Sequence, residues 1–219
     1  MTRPRRFVRM LSSALSAGVL LILAGCASAP LSPVPTMTAG PTTAPVAVTL
    51  ASIQIGGTAL TLIGSDRSTL KQLAYSGNPV LAIAALSKQT GETPAVETLM
   101  ATQCSSTQKR ASWGDGLTLT YSTQTIVGAP AFVVRSDAPK TPGGVVVTTA
   151  SGFGVGDPIS SLIAATPGVV VDGRDTADQY GLSAYFDLDA NQSGGVAISD
   201  PKTGLVRLLN APVSRSQDC

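Results

Sequence analysis

Ser68-Thr69-Leu70-Lys71 is the first arrangement in this 219-residue chain with the makings of chemistry, a hydroxyl three residues ahead of an amine. A lysine amine that takes the serine proton frees the oxygen to attack a carbonyl. Ser76-Gly77-Asn78 and Lys202-Thr203-Gly204 could then hold substrate. Spacing works against this set. Ser76 follows Lys71 too closely for a helical subdomain to lie between them, and Lys202-Thr203-Gly204 reads equally well as a hairpin turn. Asp187-x-Asp189-x-Asn191-x-Ser193 offers the first four oxygens of a calcium loop, but Gln192 stands where glycine is needed and Ile198 where the closing glutamate would be. Gly152-x-Gly154-x-Gly156 could cradle a phosphate at a helix start, yet Asp157 puts a carboxylate where the anion would sit. The chain contains no histidine, which removes zinc and copper sites, Ser-His-Asp triads and Cys-His dyads for the chain acting alone. No catalytic residue, metal or cofactor is expected.

The three cysteines each invite one role. Cys26 follows Leu23-Ala24-Gly25 at the end of a short apolar run, Met10 to Ala24, led by Arg3, Arg5, Arg6 and Arg9. That run is shorter than the roughly 20 residues a membrane-crossing helix requires, so residues 1–25 read as a removed leader. Leu23-Ala24-Gly25-Cys26 resembles the cleavage and acylation signal of bacterial lipoproteins. The resemblance implies diacylglyceryl on Cys26, attachment to the cell membrane through lipid, and a mature chain on the extracytoplasmic face. Two acyl chains suffice for stable anchoring at roughly 0.8 kcal/mol per buried methylene. Outside the cytoplasm the remaining pair, Cys104 and Cys219, is expected to form a disulfide. Closing 115 residues of chain would stabilise by roughly 4–5 kcal/mol on chain-entropy grounds.

Of fifteen basic residues four leave with the leader, so eleven face thirteen acidic ones and the mature balance is −2. With no basic stripe, nucleic acid is not an expected partner. Residues 26–50 are rich in Ala, Pro and Thr, lack charge and periodicity, and read as a lipid-anchored tether.

Beyond it the grammar is α+β and predominantly β, with one helix-plus-antiparallel-strands unit over 51–138 and a second over 143–219. In the first, strands are expected over Thr58–Ile63 and Thr69–Tyr75, then a helix capped by Asn78-Pro79 and ended by Gly91, a polar loop carrying Cys104, and strands at Leu117–Tyr121 and Ala131–Arg135. In the second, a strand at Val145–Thr149 precedes a helix capped by Asp157-Pro158, then strands at Leu182–Leu188, Gly195–Ser199 and Leu205–Leu209.

Gly154-Val155-Gly156-Asp157, a helix, Pro167-Gly168 and three strands resemble the small α+β unit of BamE-like envelope lipoproteins, and a tandem pair is similar to the β-lactamase inhibitory protein architecture. The helix after Asn78-Pro79, then Cys104 and Trp113-Gly114-Asp115, resembles lipoproteins and secreted proteins of high-GC Gram-positive bacteria. Ser68 with Lys71, Ser76-Gly77-Asn78 and Lys202-Thr203-Gly204 together resemble the signatures of penicillin-binding enzymes. The absent histidine, the absent metal-ligand spacing, the long tether and the expected disulfide point to a non-enzymatic, lipid-anchored envelope protein with an envelope protein as partner. A secreted-hydrolase inhibitor using turns such as Asn191 to Gly194 is the alternative, and a serine-lysine acyl enzyme the third. In native, non-reduced protein Cys104 and Cys219 are expected to resist alkylation until reductant is added; free alkylation of both, read by mass spectrometry, would remove the bridge.

Overall fold

Short apolar–polar alternations separated by Gly, Pro, Asn and Asp turns give this chain strands rather than long helices. The computed structural model describes residues 47–103, 105–124, 127–173 and 177–215. The leader, Cys26, Cys104, Cys219 and residues 26–46 of the expected tether lie outside them. The described residues belong to the unit Pro45–Cys219.

The elements are β1 (Leu50–Ile55), β2 (Ala59–Gly64), β3 (Thr69–Ala74), α1 (Pro79–Thr90), β4 (Ala95–Leu99), β5 (Gln108–Trp113), β6 (Leu117–Ser122) and β7 (Val133–Ser136), followed by β8 (Val146–Thr149), α2 (Ile159–Ala165), β9 (Val170–Asp172), α3 (Ala177–Tyr180), β10 (Ser183–Phe186), β11 (Ser193–Ser199) and β12 (Val206–Ser214). The fold is predominantly β. Four strands form a sheet in the order β3-β2-β1-β8, and eight form a second in the order β4-β5-β6-β7-β12-β11-β10-β9. The strands expected from alternation are present with shifted ends. Four were hidden: β9 at Val170–Asp172 follows the second helix where no strand is expected, β1 begins at Leu50, inside the expected tether, and β4 and β5 flank Cys104 in what reads as polar loop. Charged and hydroxyl residues fill the last two, and only pairing with neighbours makes them strands.

α1 starts and stops where its residues dictate. Asn78 Oδ1 accepts from the amides of Val80 at 2.9 Å and Leu81 at 3.3 Å, Pro79 takes the first turn, and Gly91 closes the helix at φ 72° with its N–H on Ser87 O. α2 differs from expectation. Asp157 does not cap it: its carboxylate accepts from the amide of Gly154 at 2.8 Å, folding the glycine-rich turn onto itself. The helix start is held instead by the Ile159 amide donating to Gly204 O at 3.0 Å.

The chain on either side of 139–144 is joined in both sheets. β8 runs parallel to β1, with Ile53 opposite Val147, while β7 pairs antiparallel with β12, with Arg135 opposite Asn210. The inward faces of both sheets meet in one core with the buried sides of α1 and α2. It includes Ile53, Leu60, Leu62, Leu86, Leu117, Leu119, Leu162 and Phe186, and Trp113 lies in it rather than on a surface. Tyr75 and Phe132 meet edge to face there, ring centroids 5.5 Å apart. No helix among the described residues is long and apolar enough to cross a membrane.

Leu86 is fully buried and Asn78 is exposed, so the two should separate in chemical denaturation: Leu86→Ala is expected to cost about 2–5 kcal/mol and Asn78→Ala about 1 kcal/mol. Equal small losses would show that α1 is not seated in the core.

Candidate functional site

The eight-stranded sheet buries one face and leaves polar side chains on the other, and register decides which residues share that outer face. In β5 the buried Ala111 and Trp113 alternate with Gln108, Arg110 and Ser112; in β6 Leu117 and Leu119 alternate with Thr118 and Thr120. Cross-strand pairs align the outer residues into rows: Glu97, Arg110, Thr120 and Val133 in one, and Ser112, Thr118, Arg135 and Asn210 in the next. The second row continues through Val196 and Tyr185 to Val170, so the outer face turns apolar across its second half.

Two cavities open on this side. The first, of about 600 Å³, is lined by Arg110, Thr118, Thr120, Arg135, Asp137 and Asn210 among others, with Pro130 and Val133 forming an apolar side. The second, of about 670 Å³, lies toward Gly57, Tyr75, Asp189, Asn191 and Ser193. Ala129, Pro130, Val133 and Asn210 line both. The segment carrying Pro130 is held in place because the amides of Ala131 and Phe132 both donate to Tyr75 O, at 2.8 and 3.3 Å.

Both arginines of the first cavity come with a carboxylate. Arg135 makes a bidentate contact with Asp137, Nε to Oδ2 at 2.8 Å and Nη2 to Oδ1 at 2.7 Å, which holds the guanidinium above its ordinary range against the opposing pull of desolvation. Arg110 Nη1 lies 3.3 Å from Glu97 Oε1 across the β4–β5 pair. Among the described residues, Oδ1 of Asn210, which lines both cavities, is buried without a hydrogen-bond partner, as is Nε1 of Trp113 in the core. A buried amide oxygen left unpaired costs about 1–3 kcal/mol, and such groups in a folded chain call for an explanation. In the second cavity the Tyr75 hydroxyl donates to Gly56 O at 3.0 Å; burial, with the charge of Asp187 adding to it, pushes its pKa far up.

The motifs with chemical promise do not gather here. Ser68 sits in the β2–β3 turn, its hydroxyl donating to Asp66 Oδ1 at 2.6 Å. That bond, with the Ser68 amide on the same oxygen, holds Asp66 below its usual range. A hydroxyl spent on a carboxylate is not being deprotonated by the amine of Lys71. Lys202-Thr203-Gly204 forms the β11–β12 turn, wrapped on Asp200 Oδ1 by two amides and the Thr203 hydroxyl. In the aspartate-rich segment, Asp189 Oδ1 accepts from the amides of Asn191 and Ser193, and Asp187 Oδ2 accepts from the amide of Gly57 at 3.3 Å. Two carboxylates of that calcium-like series are thus tied to backbone. Cys26, Cys104 and Cys219 lie outside the described residues.

The residues the sequence did not single out are Arg110, Arg135 and Asn210. Alternation in Leu117–Tyr121 signalled an outward threonine row, but the neighbours of that row depend on strand order. Asn210 falls one residue past the expected end of the last strand.

No family model, curated protein or solved structure matches the chain.

Asn210→Leu keeps the branched shape with a somewhat larger side chain and removes the unpaired oxygen. Its thermal unfolding midpoint is expected to equal or exceed that of the parent; a clear fall would mean that the amide is satisfied and structural.

Proposed function

We propose that this chain is a non-enzymatic, lipid-anchored cell-envelope protein that holds another envelope component against the outer face of its eight-stranded sheet. The observation that carries the reading is a pair of adjoining cavities on that face with an unsatisfied amide oxygen between them. Cavities of roughly 300–1,000 Å³ with a few placed polar groups are the usual form of a ligand site. The lipid anchor on Cys26 and the extracytoplasmic location rest on the leader and on Leu23-Ala24-Gly25-Cys26. A turn hydrogen bond to Asp66 occupies the Ser68 hydroxyl, which favours binding over acyl chemistry.

The tandem arrangement belongs to the same proposal. α1 is followed by β4 to β7 and α2 by β9 to β12, and the two runs lie head to head in the large sheet, with β7 and β12 at its centre and β4 and β9 at its edges. That mirrored order supports two related helix-plus-meander units. The inhibitor reading draws on Asn191 and Ser193, turn residues that line the second cavity.

A photoreactive side chain at Thr120, on the outer face, is expected to give a discrete adduct in intact cells, while the same group at Gln72 on β3 gives none. Cys26→Ser should release the protein from the membrane fraction. Equal labelling from both positions would overturn the assignment of the face, and stoichiometric loss of a secreted hydrolase's activity on titration would favour the inhibitor.

A further inference from the structure

The charges around the first cavity restrict what could enter it. Arg135 is matched by Asp137 and Arg110 by Glu97, so two cations meet two carboxylates and the local sum is zero. An anion would have to displace a carboxylate that already holds the guanidinium in two hydrogen bonds, and a cation would meet the guanidinium groups. The volume, about 600 Å³, suits a compact ligand rather than the flat patch of a large protein interface. The remaining polar lining is hydroxyl and amide: Gln108, Thr118, Thr120, Ser122 and Asn210. Such groups both donate and accept, and they are best satisfied by groups that do the same. Asn210 can turn about its soft χ2 to bring its unpaired oxygen to a donor. Pro130 and Val133 supply an apolar wall beside this array. A ring with hydroxyls at its rim and C–H groups on its faces presents both surfaces at once.

Resting on the assignment of the outer face as the binding surface, we propose that the cavity between β5, β6, β7 and β12 takes a neutral, hydroxyl-rich sugar unit of an envelope glycan. Thr118, Thr120 and Asn210 bond its hydroxyls, and the paired Arg135 and Asp137 offer fixed donors and acceptors at the rim. Uronic or phosphorylated sugars find no free cation there, because each guanidinium already faces a carboxylate. No bond is made or broken.

The test uses the full mature protein in detergent, titrated with chitotetraose, mannotetraose, xylotetraose and, as the charged counterpart, tetragalacturonate. Binding is read from the backbone amide signals of Thr120 and Arg135. At least one neutral tetrasaccharide is expected to shift both signals, and Asn210→Leu and Thr120→Val are each expected to weaken its binding by roughly tenfold, the loss of about one buried hydrogen bond. Silence from all three neutral sugars, or binding of tetragalacturonate alone, overturns the inference; so does binding that both variants leave unchanged. The crosslink from Thr120 in intact cells needs no chosen ligand. A polypeptide adduct there, with the neutral sugars silent, would sink the sugar while leaving the binding face standing.

Discussion

The antiparallel pairing of β7 with β12 is the contact on which the rest of the molecule depends. Leu209 opposite Ser136, Asn210 opposite Arg135 and Ala211 opposite Val134 join two four-stranded runs into one continuous sheet. Without that pairing each run would end in an open edge, with unpaired amides and carbonyls facing water or another chain. The same three pairs settle both faces of the sheet. Leu209, Ala211, Val134 and Ser136 turn inward and are fully buried, while Asn210 and Arg135 are delivered to the outer face at its midline. A slip of one residue would exchange the two sets and place an arginine in the core. Core burial therefore fixes where the polar site stands.

The second junction, β8 parallel to β1, closes the other side of the core. Ile53 and Ile55 from before the first helix meet Val147 and Thr149 from after the midpoint of the chain, which ties together segments almost a hundred residues apart. Local hydrogen bonds complete the frame. Glu92 Oε1, just after α1, accepts from the Thr141 hydroxyl at 2.8 Å and the Gly143 amide at 2.7 Å, pinning the link between β7 and β8. Gly57 sits so close to the backbone of Asp187 that a Cβ there would collide with it. The β1–β2 turn can thus dock against the β10–β11 connection, forming one wall of the second cavity.

Much of the fold was legible because its local signals are strong. Asn78-Pro79 and Gly91 bracket α1 as a cap, a first-turn proline and a left-handed glycine should. Leu117–Tyr121 alternates as a half-buried strand should, and Lys202-Thr203-Gly204 makes the turn it suggested. The misses have physical causes. β4 and β5 carry Glu97, Lys109 and Arg110, residues with little preference for strands, and they adopt that form because each borrows hydrogen bonds from the next. Asp157 was misread as a cap because the same carboxylate could satisfy either the helix or the turn before it, and the glycine amide won. β12 runs on to Ser214, past the expected end at Leu209, since pairing with β11 rather than its own alternation sustains it.

By itself, the order of residues determined the character of this chain: a basic-led apolar run ahead of Leu23-Ala24-Gly25-Cys26, few charged residues, no histidine, and strands punctuated by turns. Those properties are local, set by composition and by neighbours a few residues away. The tertiary structure alone decided the site. Arg110, the Arg135–Asp137 pair and Asn210 come from distant stretches, and none of their own neighbours in the chain marks them as a site. They meet because strand order and register are set by burial of the opposite face, a condition that the whole chain must satisfy at once.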